Sequence, residues 1–299
     1  MGDLPDNIQV PNIENVAECC FNPEGTLLAF LYIDGSVKIF EADENRKFHS
    51  IYETQPCCRR ATSISFASFD NGAIFAFADE AGRTYLYQRI KLTEFKQAMT
   101  FHQHKSPINS LAFAPIALCF ATAASDGYVS ITSCEQQNWS VQTVKISEKP
   151  ATSVSWSPPQ YMSFIEQPNS STDVRFVAGA ADGSFTIFQS RGASWIQEGL
   201  PVSAHDGAVN SVAWRPLPGF SRYEIATCGS DCLVKLWSFE DNKWECVEIC
   251  KCDEEPVALK WSSSGFILSI SSGTSIVELY REVSHNNWEL LDNSSNSNY

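Results

Sequence analysis

A recurring aromatic residue constrains the fold of this chain more than any other sequence feature. It closes a short segment of alternating apolar residues, and it recurs six times at intervals of 43 to 58 residues. The segments Ile108–Phe113 and Val209–Trp214 are nearly the same sequence written twice. A period of this size is typical of a repeat protein, in which each repeat is one supersecondary unit. The six closing aromatics are Phe21, Phe66, Phe113, Trp156, Trp214 and Trp261.

Two further landmarks follow the closing aromatic in a fixed order. The first is a turn aspartate, which in three of four units is followed by glycine. Asp-Gly between alternating apolar residues predicts a β-hairpin, because glycine adopts a positive φ without strain. The second is an aromatic that opens a further strand. The aspartates are Asp34, Asp126, Asp182 and Asp231, and the opening aromatics are Phe48, Phe95, Trp139, Trp195, Trp244 and Trp288.

Each unit therefore predicts four short strands of about five residues. Six units of this length predict an all-β, six-bladed β-propeller. We expect one propeller domain over residues 16–291, between an N-terminal extension (1–15) and a disordered C-terminal tail (292–299). The longest interval holds an insertion, residues 158–173, which is rich in Ser, Pro, Asn and Gln. Its composition predicts a surface loop.

Charge and cysteine content exclude several functions. The chain has 35 acidic and 21 basic residues, a net charge of −14, so we expect neither nucleic-acid binding nor direct membrane binding. The eleven cysteines have no disulfide or zinc spacing and predict reduced, buried thiols. Without a P-loop, G-x-S-x-G or H-E-x-x-H motif, we expect no cofactor, no metal and no enzymatic activity. His285 is expected to be exposed, and residues 253–255 to form a solvated acidic loop or a rim contact for a basic partner.

Two units carry a set of polar residues beside the turn aspartate. The fifth unit has His205, Thr227, Asp231 and Trp237. The third has His104, Thr122 and Asp126, with Thr132 at the position of the tryptophan. These motifs resemble those of WD repeats. In that family the four side chains form a hydrogen-bonded chain within a blade, so the resemblance implies the same chain here.

A closer resemblance extends from His104 to Leu291. Residues 209–214 followed by Pro216, the turn 230–231, residues 233–237 and Trp244 are similar to one family in particular. Residues 175–178, 181–183, 261–280 and 287–288 resemble its fourth and last blades. This is the small six-bladed WD-repeat subunit shared by the outer layer of the COPII vesicle coat and the Y-shaped scaffold of the nuclear pore. The first hundred residues depart from the pattern, because the first unit lacks the His-Asp opening and residues 79–82 replace the expected Ser-x-Asp turn. The resemblance is that of a divergent member.

The resemblance implies a structural scaffold role in ER-to-Golgi transport, at the nuclear pore, or in both. In that family the ring is open, and an α-solenoid coat or nucleoporin subunit donates a β-blade in trans. It also implies a cytoplasmic protein that is peripheral on ER exit sites, COPII vesicles or the nuclear pore. Residues 288–291 predict that the last unit supplies its own fourth strand, which suits an open ring.

We expect the first and sixth blades to flank the inserted blade. The candidate edge residues are Phe21, Leu28 and Phe30 in the first unit, and Trp261, Leu268 and Ile270 in the sixth. Because apolar strand residues are usually core, ordinary packing between blades is the alternative for these six. The alternative function is a generic WD-repeat adaptor, whose closed ring binds peptides or substrates on its face.

Overall fold

The computed structural model describes residues 15–44, 47–55, 58, 60–67, 73–158, 174–192, 194–216, 223–240, 243–273, 276–284 and 286–293. Our predictions for residues 1–14, 159–173, 285 and 294–299 lie outside these ranges.

Within the described residues the chain forms six four-stranded antiparallel sheets. Sheet 1 contains β1 (Val16–Phe21), β2 (Leu27–Tyr32), β3 (Val37–Ala42) and β4 (Phe48–Glu53). Sheet 2 contains β5 (Ala61–Phe66), β6 (Ile74–Asp79), β7 (Arg83–Lys91) and β8 (Glu94–His102). Sheet 3 contains β9 (Ile108–Phe113), β10 (Cys119–Ala124), β11 (Tyr128–Glu135) and β12 (Asn138–Lys145). Sheet 4 contains β13 (Ala151–Trp156), β14 (Arg175–Ala180), β15 (Ser184–Arg191) and β16 (Ser194–Ser203). Sheet 5 contains β17 (Val209–Trp214), β18 (Tyr223–Gly229), β19 (Leu233–Glu240) and β20 (Lys243–Lys251). Sheet 6 contains β21 (Pro256–Trp261), β22 (Ile267–Ser272), β23 (Ile276–Ser284) and β24 (Asn287–Asn293).

The order of the strands confirms the predicted all-β, six-bladed propeller class. Every sheet is built from four strands that are consecutive in the chain, and each pairs with the next in antiparallel register. The six closing aromatics end the first strand of their sheets, and the six opening aromatics are the first or second residue of the fourth. The strands contain six to ten residues rather than about five. All strands of eight or more residues are third or fourth strands of their sheets.

The chain divides into two compact units. The first comprises residues 1–126 and 130–141, and the second comprises residues 127–129 and 142–299. In the first unit, Leu31 and Ile39 of sheet 1 pack in one apolar core with Phe77 of sheet 2. Sheet 2 packs on sheet 3 in the same way, through residues such as Leu86 and Phe120.

The second compact unit shows the same kind of packing. Val177 of sheet 4 and Val212 of sheet 5 share one core, and Leu236 of sheet 5 and Leu268 of sheet 6 share the next. We name the face of a sheet that packs on the following sheet its forward face, and the opposite face its rear face. Equivalent residues define these faces in sheets 3 and 6.

Turn aspartates organise the hairpins between second and third strands. The Asp182 carboxylate accepts hydrogen bonds from the backbone N–H and the hydroxyl of Ser184, at 3.0 and 2.7 Å. Gly183 follows with φ +88°, and a Cβ there would lie 2.3 Å from the carbonyl oxygen of His205. Both the backbone conformation and the close approach therefore require glycine.

Sheet 2 forms the same turn with other residues. Asp79 ends β6 and is fully buried, and its carboxylate accepts backbone N–H bonds from Ala81 and Arg83, both at 2.9 Å. It also pairs with the guanidinium of Arg83 and accepts from Tyr85. The turn that departs from the family pattern thus keeps a carboxylate that caps backbone amides.

Candidate functional site

Four polar side chains of sheet 5 form one hydrogen-bonded chain. Nδ1 of His205 lies 2.8 Å from Oδ1 of Asp231, and its Nε2 lies 2.8 Å from Oγ1 of Thr227. The indole N–H of Trp237 donates to the same Thr227 oxygen at 3.0 Å. Every group is satisfied when His205 carries its proton on Nδ1 and accepts from Thr227 on Nε2. The structure brings together all four residues that the sequence singled out in this unit.

Electrostatics keep this histidine neutral. Burial lowers the pKa of His205 below its ordinary value of 6.5, and the hydrogen bond to Asp231 offsets this only in part. Burial acts to raise the pKa of Asp231, but the hydrogen bond from His205 and the backbone N–H bonds from Leu233 and Asp206 outweigh it and lower the pKa. A neutral imidazole therefore donates to an ionised carboxylate. With both ring nitrogens engaged in the interior, His205 holds the blade together and is not placed to accept a substrate proton.

Sheet 3 keeps the same arrangement without the tryptophan. His104 lies 3.1 Å from Asp126 through Nδ1 and 3.0 Å from Thr122 through Nε2. Gln103 donates to the hydroxyl of Thr132 at 2.6 Å and accepts from Thr84 of sheet 2 at 2.7 Å. Gln103 therefore satisfies the hydroxyl that stands in place of the indole and connects sheets 2 and 3. Sequence analysis missed Gln103, because a glutamine beside the motif carries no signal of its own.

A second set of side chains links successive sheets through their first strands. The set occupies the third position before the closing aromatic, and we call its members linker residues. Each linker oxygen accepts a hydrogen bond from a backbone N–H in the first strand of the next sheet, and sheet 1 uses a carboxylate where the others use serine. The pairs are Glu18 with Ile64 (2.8 Å), Ser63 with Leu111 (3.0 Å), Ser153 with Val212 (3.2 Å) and Ser211 with Leu259 (3.2 Å).

Sheet 6 lacks a linker residue. Its third position before the aromatic is Ala258, whose methyl group cannot accept a hydrogen bond. The preceding position differs as well: in sheet 5 it is Asn210, which donates to the carbonyl oxygen of Pro256 at 2.9 Å, whereas in sheet 6 it is Val257, which is 53% exposed. The first strand of sheet 6 is therefore apolar at the two positions where the first strand of sheet 5 makes side-chain hydrogen bonds to sheet 6.

A buried arginine joins sheets 5 and 6. Arg215 is 3% exposed, and its guanidinium pairs with Glu224 at 2.5 Å and with Glu282 at 2.8 Å. The guanidinium also lies over the rings of Trp261 and Trp288, 4.9 and 5.4 Å from their centroids. The ion pair with Glu282 and the two cation–π contacts therefore connect sheet 5 to sheet 6, while the ion pair with Glu224 holds the guanidinium on sheet 5. The sequence contains no motif for this cluster, since its members lie up to 73 residues apart.

The rear face of sheet 1 is open at its closing aromatic. Phe21 is 54% exposed, whereas the equivalent residues of sheets 2 to 5 are only 6 to 9% exposed. Leu28 and Phe30 lie on this same rear face, because Leu28 is paired with Phe21 and both alternate with the side chains that meet sheet 2. Leu28 is buried, and Phe30 is half-buried against the edge of Phe40 at 5.6 Å.

The predicted edge residues of sheet 6 lie on its rear face. Leu268 and Ile270 are fully buried in the core shared with sheet 5, and Trp261 packs against that core. This is the core alternative for these three residues. The forward face of the same sheet is more exposed. There Val277 is 37% exposed and Leu279 half-buried, whereas the residues equivalent to Leu279 in the other five sheets are at most 4% exposed. Those equivalents are Ile39, Leu86, Ile131, Ile187 and Leu236.

Cysteines contribute to the core of both units. The ten cysteines in the described ranges are all free thiols. Burial raises the pKa of Cys119 and of Cys228 to about 12, so these thiols stay protonated at neutral pH. Among the residues that the structure describes, no cluster of three or more His, Cys, Asp or Glu side chains has a geometry that would hold a metal ion. The same residues include no helix of the length and apolarity that crossing a membrane requires.

Comparison with known proteins places the chain among WD-repeat proteins. The family model described as WD domain, G-beta repeat, matches residues 95–133 and 199–238. These two segments hold His104 with Thr122 and His205 with Thr227, so the model matches where the hydrogen-bonded chain is retained.

Whole-chain relatives give a closer assignment. The SEC13 homolog of Drosophila melanogaster is 26% identical and aligns over 96% of this chain and 83% of its own length. The protein transport protein sec13 of Aspergillus fumigatus is 25% identical over 89% of this chain and 91% of its own. The protein transport protein SEC13 of Yarrowia lipolytica is 30% identical over 89% of this chain and 91% of its own. With this identity over nearly the whole length, the chain belongs to the Sec13 family of WD-repeat proteins.

Proposed function

We propose that this chain is a structural scaffold subunit in protein transport, acting in the outer COPII coat, in the nuclear pore scaffold, or in both. Its relatives carry the name protein transport protein. In this proposal the chain catalyses no reaction and binds a partner through a β-sheet. It acts in the cytoplasm, peripheral on ER exit sites, COPII vesicles or the nuclear pore.

The partner is an α-solenoid coat or nucleoporin subunit that donates one β-blade in trans. The observation that carries this proposal is the exposure of Phe21, at 54% against 6 to 9% for its equivalents in sheets 2 to 5. Four sheets bury the closing aromatic, and the first leaves it to solvent. A donated sheet that packs on the rear face of sheet 1 and on the forward face of sheet 6 would bury Phe21 and the exposed valines of sheet 6.

Burial of this kind contributes to association. Full burial of a phenylalanine side chain contributes about 1.5–3 kcal/mol, and Phe21 is 54% exposed, so burying the remainder accounts for roughly 4- to 12-fold in affinity. Main-chain hydrogen bonds within the donated blade are already made by its own strands. The affinity therefore comes from faces that pack together, as between the sheets of one unit.

Co-purification tests the proposal. The α-solenoid subunit of the COPII outer coat and that of the nuclear pore scaffold, both from the same genome, are each co-expressed with this chain. We expect a stoichiometric complex that withstands moderate salt with at least one of them. Phe21→Asp should weaken that complex by more than tenfold, because it places a charge in the apolar contact.

Leu92→Asp is the matched control, since Leu92 is 78% exposed at the tip of the β7–β8 hairpin and should leave binding unchanged. A complex that forms equally well with Phe21→Asp would remove sheet 1 from the interface. Failure of both subunits to bind the wild-type chain would overturn the proposal as a whole.

One observation favours the alternative of a closed-ring adaptor. Leu28, Tyr32 and Phe40 on the rear face of sheet 1 are each less than 8% exposed, so part of this face is already covered. An adaptor would be a stable monomer whose Phe21→Asp variant still binds its peptides. Sedimentation of the purified chain with and without the solenoid subunit separates the two functions.

A further inference from the structure

The last strand of sheet 5 carries a pair of cysteines on the face that meets sheet 6. Cys250 pairs across the sheet with Val234, a buried residue of the core that the two sheets share. Cys252 directly follows β20, and its backbone N–H donates to the carbonyl oxygen of Cys232 at 2.9 Å. Both side chains belong to that core, where Cys252 is buried and Cys250 is half-buried. Solvent therefore reaches Cys250 more readily than its neighbour.

The two thiols contact each other and a tyrosine of the next sheet. Cys252 donates a hydrogen bond to the sulfur of Cys250, and so does the hydroxyl of Tyr280 in β23. Tyr280 packs against the same core. Residues two apart in a strand have their side chains on one face and their Cα atoms about 6.7 Å apart. Disulfides span Cα separations of about 4.4–6.8 Å, so these two sulfurs can be joined with little movement of the backbone.

Cys250 differs in its ionisation from other cysteines of the chain. The pKa of Cys250 is lowered, because the hydrogen bonds from Cys252 and Tyr280 outweigh its burial. The carboxylates of Glu248 and Glu278 oppose this lowering without cancelling it. The pKa of Cys252 is raised, chiefly by the same hydrogen bond to Cys250 and then by burial. Burial raises the pKa of three other thiols: Cys119, Cys228 and Cys246.

We propose that Cys250 and Cys252 form a redox site, in which a hydroperoxide oxidises the Cys250 thiolate and Cys252 then closes a reversible disulfide. With hydrogen peroxide, the thiolate sulfur attacks one peroxide oxygen. An S–O bond forms as the O–O bond breaks, and the departing hydroxide takes a proton to become water. The sulfur of Cys252 then gives up its proton and attacks the sulfenic sulfur of Cys250, so that an S–S bond forms, the S–O bond breaks and a second water leaves. The two sulfurs lose two electrons, which the peroxide oxygens gain.

Oxidation of Cys250 also prepares Cys252 for the second step. The pKa of Cys252 is raised chiefly because its proton is held by the Cys250 sulfur, and a sulfenic acid no longer carries the negative charge that holds this proton. The disulfide is readily reduced, because it lies at the upper limit of Cα separation and is strained. This site does not depend on the function proposed above, so either can fail without the other.

Peptide mapping of the oxidised wild-type chain tests the pair. The reduced chain is treated with hydrogen peroxide, its remaining thiols are blocked with iodoacetamide, and it is cleaved with trypsin. Cleavage after Lys251 separates the two cysteines, so the disulfide joins residues 244–251 to residues 252–260 with the loss of two hydrogen atoms. We expect this linked peptide to be the first oxidation product, and dithiothreitol should remove it. Oxidation that begins instead at Cys228 or at the exposed Cys19 would overturn the proposal.

The matched control is Cys246→Ser. Cys246 is an exposed thiol in the same tryptic fragment as Cys250, so its replacement should leave the linked peptide unchanged. Loss of the link in this variant would assign the bond to Cys246 and overturn the pair. The wild-type chain unfolded in urea should form the link more slowly than the folded chain, because unfolding removes the hydrogen bond from Tyr280. Equal rates would show that sequence spacing alone makes the bond, and would overturn a site built by the fold.

Two variants of Cys252 separate the hydrogen bond from the disulfide. Cys252→Ser keeps a donor but forms no S–S bond, so oxidation should stop at the sulfenic acid of Cys250, which dimedone traps. Cys252→Ala removes the donor as well. Iodoacetamide should then alkylate Cys250 at neutral pH roughly tenfold more slowly than in Cys252→Ser, which is the effect of one pKa unit on the thiolate fraction. Equal alkylation rates, or no dimedone adduct in Cys252→Ser, would overturn the proposal.

Discussion

Sheets 5 and 6 share one strand pattern but are built for different neighbours. Sheet 5 has the full His205–Thr227–Trp237 chain on its rear face and a linker serine on its forward face. Sheet 6 meets sheet 5 through apolar side chains of its rear face, and its forward face has serine, exposed valine and charged residues of both signs. The comparison shows that the two faces of a sheet are adapted separately to what packs on each of them. A face whose residues depart from the repeat pattern therefore indicates a different neighbour.

The largest effect should come from the cluster that joins the two sheets. Arg215→Ala removes the cation that pairs with the buried Glu224, and we expect a loss of about 3–5 kcal/mol in the free energy of unfolding. Urea unfolding followed by tryptophan fluorescence measures it, since Trp261 and Trp288 lie against the guanidinium. Arg191→Ala, at an exposed site, is the control. A loss of less than about 1 kcal/mol for Arg215→Ala would mean that the two sheets are held by apolar packing alone.

Breaking the hydrogen-bonded chain of sheet 5 should rank second. His205→Ala removes the acceptor of Thr227 and the donor to Asp231, and we expect it to cost about 2–3 kcal/mol. His102→Ala, in which an exposed histidine is removed, should change stability by less than about 0.5 kcal/mol. Thermal unfolding of both variants compares them. Equal effects would contradict the structural role assigned to His205.

The pH dependence sharpens the same comparison. Because the pKa of His205 is lowered in the folded chain, the unfolded chain binds the extra proton below pH 6.5. Stability should therefore fall as pH drops below 6.5, by at most about 1.4 kcal/mol per pH unit for one proton. The lowered pKa of Asp231 adds a second loss only below its ordinary value of 3.8.

His205→Gln removes the first of these two titrations. Urea midpoints measured between pH 5 and 7 should then depend less on pH than those of the wild-type chain. A wild-type chain that gains stability on acidification through this range would show that His205 is protonated in the fold.

The smallest effect should come from the linker residues. Ser211→Ala removes one hydrogen bond to the first strand of sheet 6, and we expect a loss of about 1 kcal/mol. Ala258→Ser, at the same position of sheet 6, should change the stability of the free chain by less than about 0.5 kcal/mol. Chemical denaturation of the two single variants measures the contrast. If Ala258→Ser stabilises the chain by as much as Ser211→Ala destabilises it, a neighbour already lies against that strand.

Much of this architecture could be predicted from the residues. Aromatic landmarks and Asp-Gly turns are local signals, so the strand count and the blade class followed from spacing, whereas the grouping of His205 with Asp231 followed from the resemblance to WD repeats. The spacing did not predict which neighbouring sheet each face packs against. A period of two places Leu268 and Ile270 on one side of a strand, but it does not say which neighbour that side meets. Arg215 and Gln103 were missed for a related reason, because their partners come from other strands and other sheets.

The consecutive order of strands within every sheet has a consequence for synthesis of the chain. No described sheet needs a strand from a distant part of the chain, so each can form soon after its own residues leave the ribosome. At about 5–20 residues per second, a repeat of this length emerges within roughly ten seconds. The forward face of each sheet is therefore already formed when the next sheet packs against it. The apolar faces of sheets 2 and 5 are therefore covered in the order in which they are made.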